Sequence, residues 1–133
     1  MSKVAIQNIK IRLCKDPAKM RYPTWGDYYN TGTPKGQKLV FEILDHKEDI
    51  YTKLTLIHEI VEFTLLEYKG ANIEDIDRFD IEFEKDEARK AKYIEPGNDP
   101  DCPYKAEHEI AESIARMMCT HLGIDYELYN NCM

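Results

Sequence analysis

Leu54-Thr55-Leu56-Ile57-His58-Glu59-Ile60-Val61-Glu62-Phe63-Thr64-Leu65-Leu66 decides how this chain is read. Placed on a helix at about 100° per residue, Leu54, Leu56, Ile57, Ile60, Val61 and Phe63 share one broad apolar arc. The remaining stripe holds Thr55, His58, Glu59 and Glu62. Apolar side chains take more than half the circumference, so the polar stripe is narrow and is expected to be largely covered. Asp49 or Thr52 opens this helix, and Gly70 stops it at about Tyr68.

Upstream, Leu39, Phe41 and Ile43 alternate along a strand from Lys38 to Leu44. Val4 to Leu13 alternates as well, with a slip of phase near Asn8 that predicts a bulged strand. Between them lie a loop with Asp16-Pro17 and Tyr22-Pro23, a short aromatic run from Trp25 to Tyr29, and the turn chemistry of Thr31 to Gly36. The aromatic run and Lys38–Leu44 are expected to form a hairpin. Downstream, Asn72 or Glu74 starts an acidic helix running to about Tyr93. The stretch Glu95 to Pro103 is irregular. Pro103 suits the first turn of a last long helix, from about Tyr104 to Leu122, which Gly123 ends. Strand, hairpin and three main helices predict an α+β fold, with a small antiparallel sheet packed on helices to one side. The chain has 133 residues, which predicts one domain over 1–133.

Hydrophobic residues make up 43% and charged residues 32%, which predicts an ordered globular core. A net charge of -7 disfavours a grip on nucleic-acid phosphates and suits a monomeric soluble protein, or one that holds a cation. No run reaches the roughly 20 apolar residues of a membrane span. Residues 1–10 lack the apolar core of a signal peptide, so the cytoplasm is the expected compartment. Cys14, Cys102, Cys119 and Cys132 form no C-x-x-C pair, so reduced thiols are expected rather than a thiolate zinc site.

His58 and Glu62 stand four apart, one above the other on the helix. An imidazole nitrogen and a carboxylate oxygen at that spacing can share one divalent ion. Glu59 is offset, where a carboxylate could take a proton from metal-bound water. No Lys or Arg stands three or four residues from Glu59 or Glu62, so surface pairing does not explain them. The last helix repeats the pattern in His108-Glu109-Ile110-Ala111-Glu112, with Ile110, Ile114, Met117 and Met118 opposite. Two packed helices could therefore aim His58, Glu62 and His108 at one point. Asp77, Asp80 or Glu112 could serve as a fourth ligand or as an orienting group, with Asp80 first among the acidic run 74–80. Glu112 with Arg116 and Glu109 with Lys105 read as helix-surface pairs. His46 and His121 read as structural or surface residues, and Cys119 as a small buried thiol. A His/carboxylate set fits zinc, with iron or manganese as other fits.

His58-Glu59-Ile60-Val61-Glu62 resembles the H-E-x-x-H helix of zincin metallopeptidases, with Glu62 standing where that family has its second histidine. The resemblance implies a zincin-like fold, zinc held by His58, Glu62 and a third ligand from a later helix (here His108), and Glu59 as general base. It implies a peptide or protein substrate, and Lys38–Leu44 as the substrate-binding edge strand. The chain also resembles a group of small bacteriophage and bacterial proteins, in Tyr22 to Asp27, the His58 helix, Phe79-Asp80, and Glu95-Pro96-Gly97 through Pro103-Tyr104 to His108. That likeness places Asp80, Tyr104 and His108 in one site with His58, and implies the host cytoplasm for a phage-encoded chain.

Two other functions compete. Glu59-Ile60-Val61-Glu62 followed by Glu74-Asp75-Ile76-Asp77 imitates the carboxylate clusters of all-helical, magnesium-dependent nucleotide pyrophosphohydrolases. A non-catalytic, host-modulating binding protein would use Trp25 to Tyr29 as its contact surface.

Overall fold

The computed structural model describes residues 6–21, 24–33 and 36–131. Val4, the loop residues Tyr22 and Pro23, the turn residues Pro34 and Lys35, and Cys132 lie outside them. The described residues form three strands and five α-helices, a mixed α+β fold. The strands are β1 (Ile6–Cys14), β2 (Gly26–Thr33) and β3 (Gly36–Leu44). The helices are α1 (Asp49–Lys69), α2 (Ile73–Lys85), α3 (Glu87–Tyr93), α4 (Lys105–Leu122) and α5 (Tyr126–Asn130). None is long and apolar enough to cross a membrane.

The sheet runs β1-β3-β2. β2 and β3 pair antiparallel as the expected hairpin, with Tyr28 opposite Phe41. β1 pairs parallel to β3, placing Ile9, Ile11 and Leu13 beside Leu39, Phe41 and Ile43. The sheet is therefore mixed rather than purely antiparallel. β3 is the strand best suited to the middle: Leu39, Phe41 and Ile43 are buried on one face, and Val40 and Glu42 on the other. β1, with Lys10 and Arg12, takes an edge, where charge on a strand is tolerated. The register of β1 slips between Ile6 and Asn8, where the alternation breaks. β3 is central, so Lys38–Leu44 is not an edge strand. β2 is the edge on the far side from β1.

Gly70 and Gly123 end α1 and α4 in the left-handed region, at φ 78° and 72°, as their positions predict. The expected single helix up to Tyr93 is broken at Asp86. That residue is extended (φ -101°, ψ 96°), and its carboxylate accepts from the Arg89 amide at 3.1 Å, starting α3. α4 begins one residue after Tyr104, which leaves Pro103 just ahead of the helix.

α1 lies between two cores. On one side Phe63 and Leu66 meet Tyr28, Leu39, Phe41, Ile76 and Tyr104, with the Tyr28, Phe41 and Phe63 rings 5.6 to 6.2 Å apart. On the other, Leu54 packs with Cys119 and Tyr129, flanked by Trp25, Tyr51, Met118 and Tyr126. α4 packs along α1 through His108, Ala111, Ala115 and Cys119. The stripe carrying His108 is buried, as convergence of the two helices requires, while Ile110 and Met117 on the opposite face are 46% and 69% exposed. Alanines at 111 and 115 let the two helix backbones approach closely, which outweighs the larger apolar face.

Candidate metal centre

Close packing of α4 on α1 brings His58 and His108 to a ring-centroid distance of 5.0 Å, 72° between planes. Glu62 lies between them. His58 Nε2 is 2.9 Å from Glu62 Oε2, and His108 Nδ1 is 3.2 Å from the same oxygen. The other oxygen, Glu62 Oε1, accepts from the Tyr28 hydroxyl of β2 at 3.2 Å. One donor atom from each of His58, Glu62 and His108 lies within 4.8 Å of the others. Donors around a tetrahedral ion at ~2.1 Å stand ~3.4 Å apart, so the observed spacing fits three ligands of one ion after a small relaxation.

Electrostatics favours the charged forms of Glu62 and His108. Burial pushes the Glu62 carboxyl up, but hydrogen bonds from His108 and His58 outweigh it and hold it well below its usual range. Burial pulls His108 down, while Glu62 and Glu95 raise it to about 10. Glu59 behaves oppositely. Burial first, then the charges of Glu62 and Asp27, push its carboxyl well above the usual range. Its side chain lies over Gly26 of β2, where a Cβ would meet Glu59 Cγ at 2.7 Å and Oε1 at 2.8 Å. Nearby positive charge is what would lower it again, and a divalent ion held among the donors would supply that.

Asp80, grouped with the ligands in the sequence, is buried and accepts the Tyr104 hydroxyl at 2.6 Å. The Tyr104 ring in turn stands 6.3 Å from that of His108. Among the described residues Asp80 is not in a converging donor group, so the structure ties it to Tyr104. Two residues of the irregular 95–103 stretch belong to the site. Glu95 Oε1 is 2.9 Å from His108 Nε2, and Gly97 packs against the His108 ring. Glu112 is also here, 3.4 Å from His108 Nε2 and 3.3 Å from the Tyr126 hydroxyl. Its expected partner Arg116 pairs with Glu127 instead, whereas Glu109 does pair with Lys105. Local pattern gave Glu95 and Gly97 only turn chemistry, because their contacts with His108 are made in three dimensions; the resemblance to small bacteriophage and bacterial proteins included their stretch but assigned them no role.

These groups line a cavity of about 390 Å³ between the start of β2, α1, α2, the 94–97 segment and the C-terminal turn. Among the described residues its walls carry eight carboxyl groups, of Asp27, Glu59, Glu62, Asp77, Asp80, Glu84, Glu95 and Glu112, and no Lys or Arg; Arg21 pairs with Asp27 and Asp77 and Lys90 with Glu84, and the remaining acids favour a cation. Glu74, needed for a pyrophosphohydrolase cluster, is exposed on α2, and Asp77 pairs with Arg21 at 3.2 Å. Tyr28 of the aromatic segment is core rather than contact surface. His46 stacks edge-on against Trp25 at 4.7 Å, His121 is exposed, and Cys119 is buried, as expected of non-ligands.

No protein-family model, curated protein or solved structure matches this chain.

Proposed function

We propose that this chain is a zincin-like, metal-dependent hydrolase acting on a peptide or protein. In it His58, Glu62 and His108 hold one divalent ion and Glu59 serves as the base. Zinc suits two imidazoles and a carboxylate, and iron or manganese would also be accepted by such a set. The observation that carries this reading is the meeting of His58 Nε2 and His108 Nδ1 on one oxygen of Glu62, at 2.9 and 3.2 Å, inside a cavity. Three protein donors leave a position open, as catalytic rather than structural sites do.

When bound, the ion supplies Lewis-acid polarisation and a more acidic water. Glu59 sits one residue after His58 on the cavity wall, able to accept a proton at a carboxylate oxygen and pass it to a leaving group. Glu62, in place of a third imidazole, adds negative charge and demands more of that base. Tyr28 and the start of β2 form one wall of the cavity. β2 is an edge strand, so an extended substrate could pair with it.

Elemental analysis of protein prepared without added metal tests the first half: about one ion per chain is expected, lost in His58→Ala and in His108→Ala. A mixed fluorogenic peptide library tests the second. Glu59→Gln is expected to keep the ion and lower turnover by ~10²–10⁴-fold. A wild-type protein without stoichiometric metal, or a Glu59→Gln protein as active as wild type, would falsify the corresponding half.

A further inference from the structure

His108 turns its two ring nitrogens to carboxylates on opposite sides. Nδ1 faces Glu62 at 3.2 Å, while Nε2 lies 2.9 Å from Glu95 and 3.4 Å from Glu112. Only Nδ1 can join His58 and Glu62 on one ion. Nε2 then carries the ring hydrogen, and Glu95 is placed to accept it.

The segment bearing Glu95 is shaped around this ring. A Cβ at Gly97 would meet His108 Cδ2, Cγ and Nδ1 at 2.4, 2.5 and 2.6 Å. These are rigid ring atoms, so only glycine lets the backbone lie there. Ile94 takes φ 75° and ψ -48°, a conformation that β-branched residues avoid. Its side chain is 80% exposed, so its own burial does not account for the strain. Immediately beyond, the chain presents Glu95 to His108. Arg89, paired with buried Asp99 at 2.7 Å, ties the far end of the segment to α3.

We propose that Ile94–Gly97 is a positioning element for the metal centre: Glu95 fixes the hydrogen of His108 on Nε2, and Gly97 seats the ring so that the ion is bound through Nδ1. This rests on the metal site proposed above. A rival use of the same atoms is a second ion held by Glu95, His108 and Glu112. That would require the ring to give up both hydrogens. Its outer donors are also wetter, with side chains 45% and 23% exposed against 16% and 6% for His58 and Glu62.

The test uses the full chain as wild type, Glu95→Gln, Gly97→Ala and Glu112→Gln. Each is titrated with Zn²⁺ against a chromophoric chelator, with melting of the metal-free proteins and ¹⁵N spectra of the histidine rings. Glu95→Gln is expected to weaken zinc binding 10- to 100-fold, beyond any shift in metal-free melting from the loss of its pair with His108. Gly97→Ala should weaken it at least as much, and Glu112→Gln less than about threefold. The wild-type spectrum should place zinc on His108 Nδ1. Unchanged affinity in Glu95→Gln, zinc on Nε2, or a second ion lost in both Glu95→Gln and Glu112→Gln would overturn the proposal. A wild type that binds no zinc, and carries no other divalent metal on elemental analysis, removes the proposed function. The positioning role is then decided on metal-free protein, where a His108 spectrum indifferent to Glu95→Gln defeats it.

Discussion

Glu62 is the point at which three elements meet: His58 from its own helix, His108 from α4 and the Tyr28 hydroxyl from β2. A carboxylate this buried persists because every side of it is paired. Removing its charge in Glu62→Gln strands the two imidazoles, and breaking a buried pair in this way costs about 3–5 kcal/mol. The expected outcome is loss of both metal uptake and thermal stability, read by elemental analysis and melting of the same sample. Glu59 calls for the opposite expectation. Burial and its anionic neighbours favour the uncharged form of its carboxyl, and glutamine is close to that form in shape. Glu59→Gln should therefore melt within a few degrees of wild type in chelator. Gly26→Ala tests the placement of Glu59 without touching its chemistry. The new methyl would fall 2.7 Å from Glu59 Cγ and must push the side chain aside. Turnover should fall at least tenfold while the metal content stays the same. An active Gly26→Ala protein would remove Glu59 from the reaction.

At the scale of elements, the signals that sequence carried well were local ones. Gly70 and Gly123 stop helices because the left-handed turn each provides is decided within a few residues. The slip near Asn8 was visible because a bulge breaks alternation on the spot. The direction of β1 against β3 was not, since it depends on which edge of β3 is free once the hairpin has formed. The small residues that carry the contact of α4 were less visible, for a related reason. Periodicity marks the larger apolar side chains, Ile110 and Met117, but the contact with α1 is made by small ones. His58, Glu62 and His108 could be found because a His and a Glu four apart share a helix face wherever the helix lies. Glu95 could not, because nothing near it in the chain says that it reaches α4. The small-residue stripe makes its own prediction. Ala115→Leu should force α4 from α1, costing about 1–3 kcal/mol, and should weaken metal binding as His58 and His108 separate. Met117→Ala, two residues on and facing solvent, should leave both within about 0.5 kcal/mol of wild type. If both variants bind zinc as wild type does, the helix pair does not set the site.

Over the whole molecule, the cluster links stability to protons and metal together. His108, raised from its ordinary value of 6.5 to about 10, contributes its full stabilisation below 6.5, and loses it as pH climbs through about 10. Glu59, raised above its ordinary 4.5, also makes the native state less stable as pH rises, because the unfolded carboxyl ionises first. Glu62, lowered from 4.5 to about 2, contributes above 4.5 and loses that contribution as pH falls toward 2. Metal-free protein should therefore weaken steadily from mildly acid to alkaline pH. A bound ion acts against this trend, because it takes the place of the His108 proton on Nδ1 and binds more tightly as protons become scarce. At free zinc one hundred times its dissociation constant the added stability is about 2.7 kcal/mol, which for a domain of this size is on the order of 10 °C in melting temperature. Melting in chelator and in zinc, compared at pH 5 and pH 8, should show a gap that is small at the acid end and opens at the alkaline end. The same gap at both values would mean that zinc binds groups that do not compete with protons, and the His58, Glu62 and His108 cluster would not be where it is held.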